Sequence, residues 1–265
     1  MSSSTWFQTI KACPFPALRL FMFPYAGGNA RIFNHWAKSI PQNIEVLALQ
    51  LPGRGERITE QPQSNIDSLL NTLEIEFSTY NANAVPFVFL GHSLGARIAI
   101  ELTYRFYARQ KTLPIHFIAS GALSPDLKRI QINTSSMSNC AFVELLKRIG
   151  GTPKNILENN ELMQLILPAI KADFCLAEST KPIKPNPLPI GATILNGKSD
   201  FKDTELQIKH WQTHFSAEIK SHIFNGGHFF INEHANEVMP IVSDILRQLI
   251  FDIQTNQTVT LKRVI

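Results

Sequence analysis

Short apolar runs alternate with amphipathic stretches along most of this chain. Leu18 to Phe23, Ile44 to Leu51, Val85 to Leu90, Ile115 to Ala119 and Ile190 to Leu195 are too short for buried helices. Each ends near glycine, serine, asparagine or a Pro-Gly pair, which predicts buried strands. Glu218 to Phe224 has strand-like composition as well. Between these runs, Ile66 to Tyr80 carries Leu69, Leu70, Leu73, Ile75 and Phe77 at helical spacing, and Ala96 to Tyr107 and Glu233 to Ile250 also read as helices. Strand, loop, helix is therefore the repeating unit. Such alternation predicts an α/β fold in which a mainly parallel sheet is covered on both faces.

The segment from about Pro125 to Pro189 breaks this rhythm, with two helical stretches and no convincing strand, and reads as an insertion. Cys140 to Ile149 ends at Gly150-Gly151. Glu161 to Ser179 holds Leu162, Leu165, Ile166, Ala169 and Ile170 at helical intervals, with Met163 and Leu167 off that stripe. Pro168 is expected to kink or restart the second helix. Apolar residues on more than one face favour a helical cap over an apolar channel, against a helix pair packed wholly on the core. Lys181 to Pro189, rich in proline, returns the chain as an extended connector. For the tail, residues 251–265, disorder, an added edge strand and a partner contact all stay open.

The 265 residues fit one α/β domain, taken here as residues 1–265 with the insertion at about 125–189, and 44% hydrophobic composition suffices for a core without disulfides or metal clips. The net charge of +4 is mild and its basic residues are scattered, which gives nucleic-acid binding little support but leaves an acidic protein partner compatible. Cys13, Cys140 and Cys175 are isolated from one another and lack metal or redox spacing, so reduced thiols are expected. The first fifteen residues lack the apolar core of a secretory signal, and no run approaches the ~18 apolar residues of a spanning helix. A cytoplasmic protein follows as the expectation.

Gly91-His92-Ser93-Leu94-Gly95 lies directly between a predicted strand and a predicted helix. The pentapeptide alone is weak, but in that context it reads as a nucleophile elbow, a sharp turn that holds a serine oxygen out at the sheet edge. A serine needs a base to take its proton and an acid to orient that base, following it in the order serine, acid, histidine. His228, in Asn225-Gly226-Gly227-His228-Phe229-Phe230, follows a predicted strand and fits the base. His35, His116, His210, His214, His222 and His234 lie in helical or strand-like surroundings, and His92 reads as a residue packing the elbow. For the acid, Asp200 follows the strand ending at Leu195. Asp126 follows the preceding strand and is its rival, with Asp203 a weaker neighbour; a helix N-cap is the ordinary alternative for such aspartates. Backbone donors for an oxyanion are expected at Leu94 and, from the loop after the first strand, at Ala26. Pro52-Gly53-Arg54-Gly55-Glu56-Arg57 lacks the lysine and spacing of a phosphate loop and reads as a structural turn.

Taken together these motifs resemble the type II thioesterases, stand-alone editing enzymes of nonribosomal peptide and polyketide synthesis with the α/β-hydrolase fold. The resemblance spans Trp6 to about Leu249. It rests on Leu20 to Gly28, Leu51 to Arg57, Gly91 to Ala96, Gly150 to Pro153, Leu167-Pro168, Ala172-Asp173-Phe174, Asp200, Trp211 and Gly227 to Phe230. It implies a triad of Ser93, Asp200 and His228, a mobile lid formed by the insertion, and no cofactor or metal. It also implies an acyl or aminoacyl thioester substrate on the phosphopantetheine arm of a carrier protein. A monomer that binds neither nucleic acid nor membrane is expected. The polar stretch Gln131 to Asn139 and the tail after Ile250 depart from the family pattern. A carboxylesterase or lipase, or an acyltransferase, would share the triad, and a non-catalytic scaffold would share only the fold.

Overall fold

The computed structural model describes residues 6–128 and 131–264, with residues 256–264 as backbone alone. The strands are β1 (Phe7–Lys11), β2 (Leu18–Phe23), β3 (Ile44–Leu49), β4 (Phe87–His92), β5 (His116–Ser120), β6 (Gly191–Gly197) and β7 (Lys220–Phe224). They form one seven-stranded sheet in the order β1-β3-β2-β4-β5-β6-β7. Every neighbouring pair is parallel except β1 with β3. The helices are α1 (Ile66–Tyr80), α2 (Leu94–Ala108), α3 (Asn139–Ile149), α4 (Lys154–Leu157), α5 (Asn160–Ser179), α6 (Thr204–Gln212), α7 (Phe230–Glu233) and α8 (Ala235–Val264). Mixed α/β layering around a mainly parallel sheet is the arrangement that the hydrophobic pattern predicts.

The pleat sorts the strand residues between two cores. Phe21, Phe23, Phe87 and Phe89 join α1 and α2 on one face, while Leu20, Met22, Val88 and Leu90 meet α8 on the other. On the first face Phe77 packs against Phe21 and Phe87 with ring centroids 4.8 Å apart in each case, and against Phe106 at 5.0 Å. Tilted ring pairs of this kind add roughly 0.5–1.5 kcal/mol each beyond their area burial. That rigid sheet is what fixes the loops at its carboxyl edge.

Chain order places the crevice. From β2 the chain steps outward to β3, returns past β2 to β4, and then proceeds the other way through β5, β6 and β7. The reversal opens a gap outside the carboxyl ends of β2 and β4, where ligands of open α/β sheets bind. The insertion between β5 and β6 carries α3, α4 and α5, and Phe142, Leu146, Met163, Leu167 and Ile170 give it a small core of its own.

Several local expectations are corrected. β1 lacks an apolar run of its own; it is an edge strand whose buried Phe7 supplies one side and whose pairing comes from β3. Ile75 is 71% exposed, and its place on the buried face of α1 goes to Glu74, which pairs with Arg109 at 2.5 Å. Leu162 and Leu165 face solvent, whereas Met163 and Leu167 are buried. Packing against α3 turns α5 onto a different stripe from the one that periodicity picks out. Helix α5 does not restart at Pro168. The proline lies on the exposed side, where water can satisfy the Gln164 carbonyl left without a donor. Of the alternatives left open for the tail, the edge strand is not taken: residues 251–264 continue α8, and residue 265 lies outside the described residues.

Candidate active site

Ser93 lies between β4 and α2 with φ +54° and ψ −114°, a backbone geometry that costs a non-glycine residue on the order of 1–3 kcal/mol. The surrounding structure enforces it. Ser93 N–H donates to the Ser120 carbonyl at 2.9 Å, which ties the elbow to β5. A Cβ on Gly91 would lie 2.4 Å from Ala96 N, and one on Gly95 would lie 2.0 Å from the Phe23 carbonyl oxygen. Glycine at these two positions lets the helix start pack directly on β2 and β4.

His228 Nε2 lies 2.9 Å from Ser93 Oγ, and His228 Nδ1 lies 2.9 Å and 3.1 Å from the two carboxylate oxygens of Asp200. With the Nδ1 proton facing the carboxylate, Nε2 is free to accept from the Ser93 hydroxyl. The loops that carry the acid and the base are themselves tied together. Lys198 N–H donates to the Phe224 carbonyl at 2.8 Å, and Ser199 N–H to the Gly226 carbonyl at 3.0 Å. Three residues far apart in sequence thus meet because β4, β6 and β7 end at the same sheet edge.

The other candidates go elsewhere. Asp126 accepts from Ser124 Oγ at 2.6 Å, and its carboxylate lies 2.6 Å from His210 Nδ1 and 3.3 Å from His214 Nε2. Tyr104 OH completes this cluster at 2.5 Å from His214 Nδ1, and burial pushes its hydroxyl up to about 12. Asp203 caps α6 by accepting from Leu206 N–H at 2.8 Å. His92 is buried, with Nδ1 2.9 Å from Ser120 Oγ and its ring 5.1 Å from that of His228. Burial first, and then the charge of His228, hold it well below the ordinary imidazole range, so it packs the elbow as a neutral ring.

The turn after β3 is structural, but it reaches the site indirectly. Arg57 pairs with Glu60, donates to the Gln50 carbonyl at 2.9 Å and lies 4.0 Å above the Trp6 ring. Arg54 is buried and grips Asp173 of α5 through two hydrogen bonds, the one from Nη2 to Oδ1 measuring 2.7 Å. Asp173 Oδ2 also accepts from Gly27 N–H at 2.7 Å. Asp173 therefore links the inserted helix to the loop that holds Ala26. Spacing did not reveal this pairing, because the two residues are 119 positions apart; the motif Ala172-Asp173-Phe174 was its one visible trace.

Above Ser93 and His228 lies a chamber of about 950 Å³, lined also by Ala26, Leu94, Phe229 and residues of α5. No residue from Pro52 to Arg57 lines it. The Leu94 N–H opens α2, where the first amides have no intrahelical acceptor and are available to an anion. Among the described residues no group of three or more His, Cys, Asp or Glu side chains converges as a metal ion would require, and no described helix is long and apolar enough to cross a membrane.

The family model described as "Thioesterase domain" matches residues 18–247. The gramicidin S biosynthesis protein GrsT of Aneurinibacillus migulanus is 31% identical over 242 residues, covering 91% of this chain and 94% of its own length. The type II thioesterase BorB from the borrelidin biosynthetic cluster superposes with a TM-score of 0.80 at 29% identity, covering 92% of this chain and 98% of that one. ClbQ from the colibactin NRPS/PKS pathway gives a TM-score of 0.80 at 26% identity, over 88% of this chain and 98% of that one.

Proposed function

Since the chain belongs to the thioesterase domain family and is a thioester hydrolase, we propose that Ser93, His228 and Asp200 are its catalytic triad. We further propose that its substrates are acyl groups held as thioesters on the phosphopantetheine arm of synthase carrier domains. The observation that carries the reading is the continuous relay from Ser93 Oγ through His228 to the Asp200 carboxylate, opening into an apolar chamber. Relatives from gramicidin S, borrelidin and colibactin biosynthesis support the assembly-line setting, and removal of acyl groups that stall a synthase is the role that fits it.

In this mechanism His228 Nε2 takes the hydroxyl proton as Ser93 Oγ attacks the thioester carbonyl carbon. Negative charge develops on the carbonyl oxygen, where the N–H groups of Leu94 and Ala26 stabilise it. The C–S bond breaks, and the leaving pantetheine sulfur receives the proton from His228. Water then adds to the acyl-serine as His228 takes one of its protons. Collapse breaks the C–O bond, releases the acid and returns the proton to Ser93. Asp200 keeps the His228 tautomer fixed and stabilises the imidazolium formed in each half. No cofactor takes part in this scheme, and the single chain is taken as the working unit.

The test is hydrolysis of acyl groups loaded on a carrier protein, compared with simple esters and with acyl transfer to an added alcohol or amine. Ser93→Ala is expected to abolish release of the acid while the far-UV circular dichroism and melting profile stay those of the parent. Turnover at the parent rate by Ser93→Ala overturns the triad. Preference for simple esters, or transfer products instead of free acid, overturns the substrate class.

A further inference from the structure

The lining of the chamber divides by chemistry. Tyr25, Asn29, Thr152 and Asn232 bring hydrogen-bonding groups, and Asn232 Nδ2 donates to Tyr25 OH at 3.0 Å. Leu123, Ile132 and Phe201, by contrast, are apolar, with Lys128 also in the lining. Along α5 the lining residues are Ile166, Ile170, Phe174, Ala177 and Glu178, a spacing that forms one helix face. Ile170 marks the level of the reacting centre, because its Cγ1 lies 3.4 Å from the point where a Cβ on Gly27 would sit, next to Ala26. Two turns further on, Glu178 is held by the Ile132 N–H at 3.3 Å, the Thr134 N–H at 3.2 Å and the Thr134 hydroxyl at 2.8 Å.

From Ile170 to Glu178 the helix advances eight residues, or ~12 Å at ~1.5 Å per residue. An extended chain covers ~1.2 Å per bond, three backbone bonds filling ~3.6 Å, so that distance holds at most about ten bonds, and about seven once a ~3.5–4 Å van der Waals contact at the far end is subtracted. Resting on the reading of this site as a serine thioesterase, we propose that the α5 face from Ile170 to Glu178 is a ruler for the acyl chain. It selects apolar acyl groups of about eight to ten carbons. Glu178 is the far wall: a longer alkyl chain would have to displace a carboxylate from its hydrogen bonds into an apolar setting, which is unfavourable. The amide-bearing pantetheine arm matches the polar lining instead. Ala177, one residue before the wall, is the position that sets the usable depth.

The experiment measures kcat/KM for acetyl, butanoyl, hexanoyl, octanoyl, decanoyl, tetradecanoyl and hexadecanoyl pantetheine thioesters. For the parent, kcat/KM is expected to rise about fourfold per methylene, as burial of each CH₂ implies, to a maximum at octanoyl or decanoyl, and to fall by tetradecanoyl. Ala177→Leu and Ala177→Phe are expected to move the maximum stepwise to shorter chains and to lower the decanoyl-to-acetyl ratio by at least about tenfold. A flat profile, a maximum at acetyl or hexadecanoyl, or a parental profile in folded Ala177 variants overturns the ruler. The parent profile and Ala177→Leu decide the matter if Ala177→Phe does not fold. Ser93-dependent hydrolysis at every length with no optimum removes only the ruler, whereas absence of hydrolysis at any length removes the underlying reading.

Discussion

Removing the Asp173 charge perturbs the insertion and the loop beneath it at one atom. Asp173 is 1% exposed at its side chain and Arg54 is 8% exposed, so Asp173→Asn leaves a buried guanidinium facing a neutral amide, with the Gly28, Pro52 and Ala169 carbonyls at 3.3 Å, 3.4 Å and 3.4 Å as its other acceptors. Breaking one side of a buried pair costs about 3–5 kcal/mol. At roughly 2–4 °C per kcal/mol for a domain of this size, the melting temperature is expected to fall by about 6–20 °C. The asparagine keeps an oxygen for Gly27 N–H, so the change isolates the charge. Arg54→Met strands the carboxylate instead and is expected to cost a similar amount. The double variant Arg54→Met/Asp173→Asn removes both charges and is expected to lie within about 2 kcal/mol of the parent, because a buried pair contributes little net stability once its desolvation is counted. Urea unfolding of the four proteins, followed by fluorescence and circular dichroism together, gives the coupling directly. A double variant as destabilised as the sum of the singles would refute the reasoning, as would a loss under about 1 kcal/mol for Asp173→Asn.

The two aspartates separated by the structure should separate in kinetics. Asp200→Asn is expected to lower kcat by about 10³–10⁴-fold with the fold intact, as loss of the orienting carboxylate does in serine hydrolases, whereas Asp126→Asn leaves kcat little changed and lowers stability; equal kinetic damage from both would contradict the assignment. A pH effect follows from His116, whose Nε2 lies 2.9 Å from Thr193 Oγ1 and which burial, then the charge of Lys220, depress to about 4. The folded state holds this ring neutral, so its contribution is fully present above the ordinary imidazole value of about 6.5. As pH falls through about 4, on the order of 3 kcal/mol is lost. His116→Gln is expected to flatten the dependence of unfolding free energy on pH between those limits, and an unchanged slope would assign it to other groups.

Much of the site was legible because its chemistry is written locally. The elbow needs glycines two residues either side of Ser93 and a strand and a helix around them, so pattern and motif point to one residue. His228 was legible for the same reason. The choice between Asp200 and Asp126 was less so, since both follow a strand, and periodicity does not say which loop bends toward β7. The buried face of α5 is not legible in the sequence, because helical spacing identifies a stripe, while the covering partner α3 decides which stripe is buried. The pairing of Asp173 with Arg54 is not legible, because an ion pair between distant residues leaves no spacing to read.

By itself the sequence determined the strands β2 to β7 in chain order, the mainly parallel sheet they form and the serine turn. These follow from short-range forces: apolar periodicity, turn residues and the steric demand at Gly91 and Gly95. Only the tertiary structure decided which acid meets His228, which face of the insertion lines the chamber, and how Arg54 and Asp173 fasten that insertion to the loop of Ala26. Those outcomes depend on the relative placement of elements far apart in sequence, and burial and charge pairing fix that placement once the sheet has brought the ends of β2, β4, β6 and β7 to one edge.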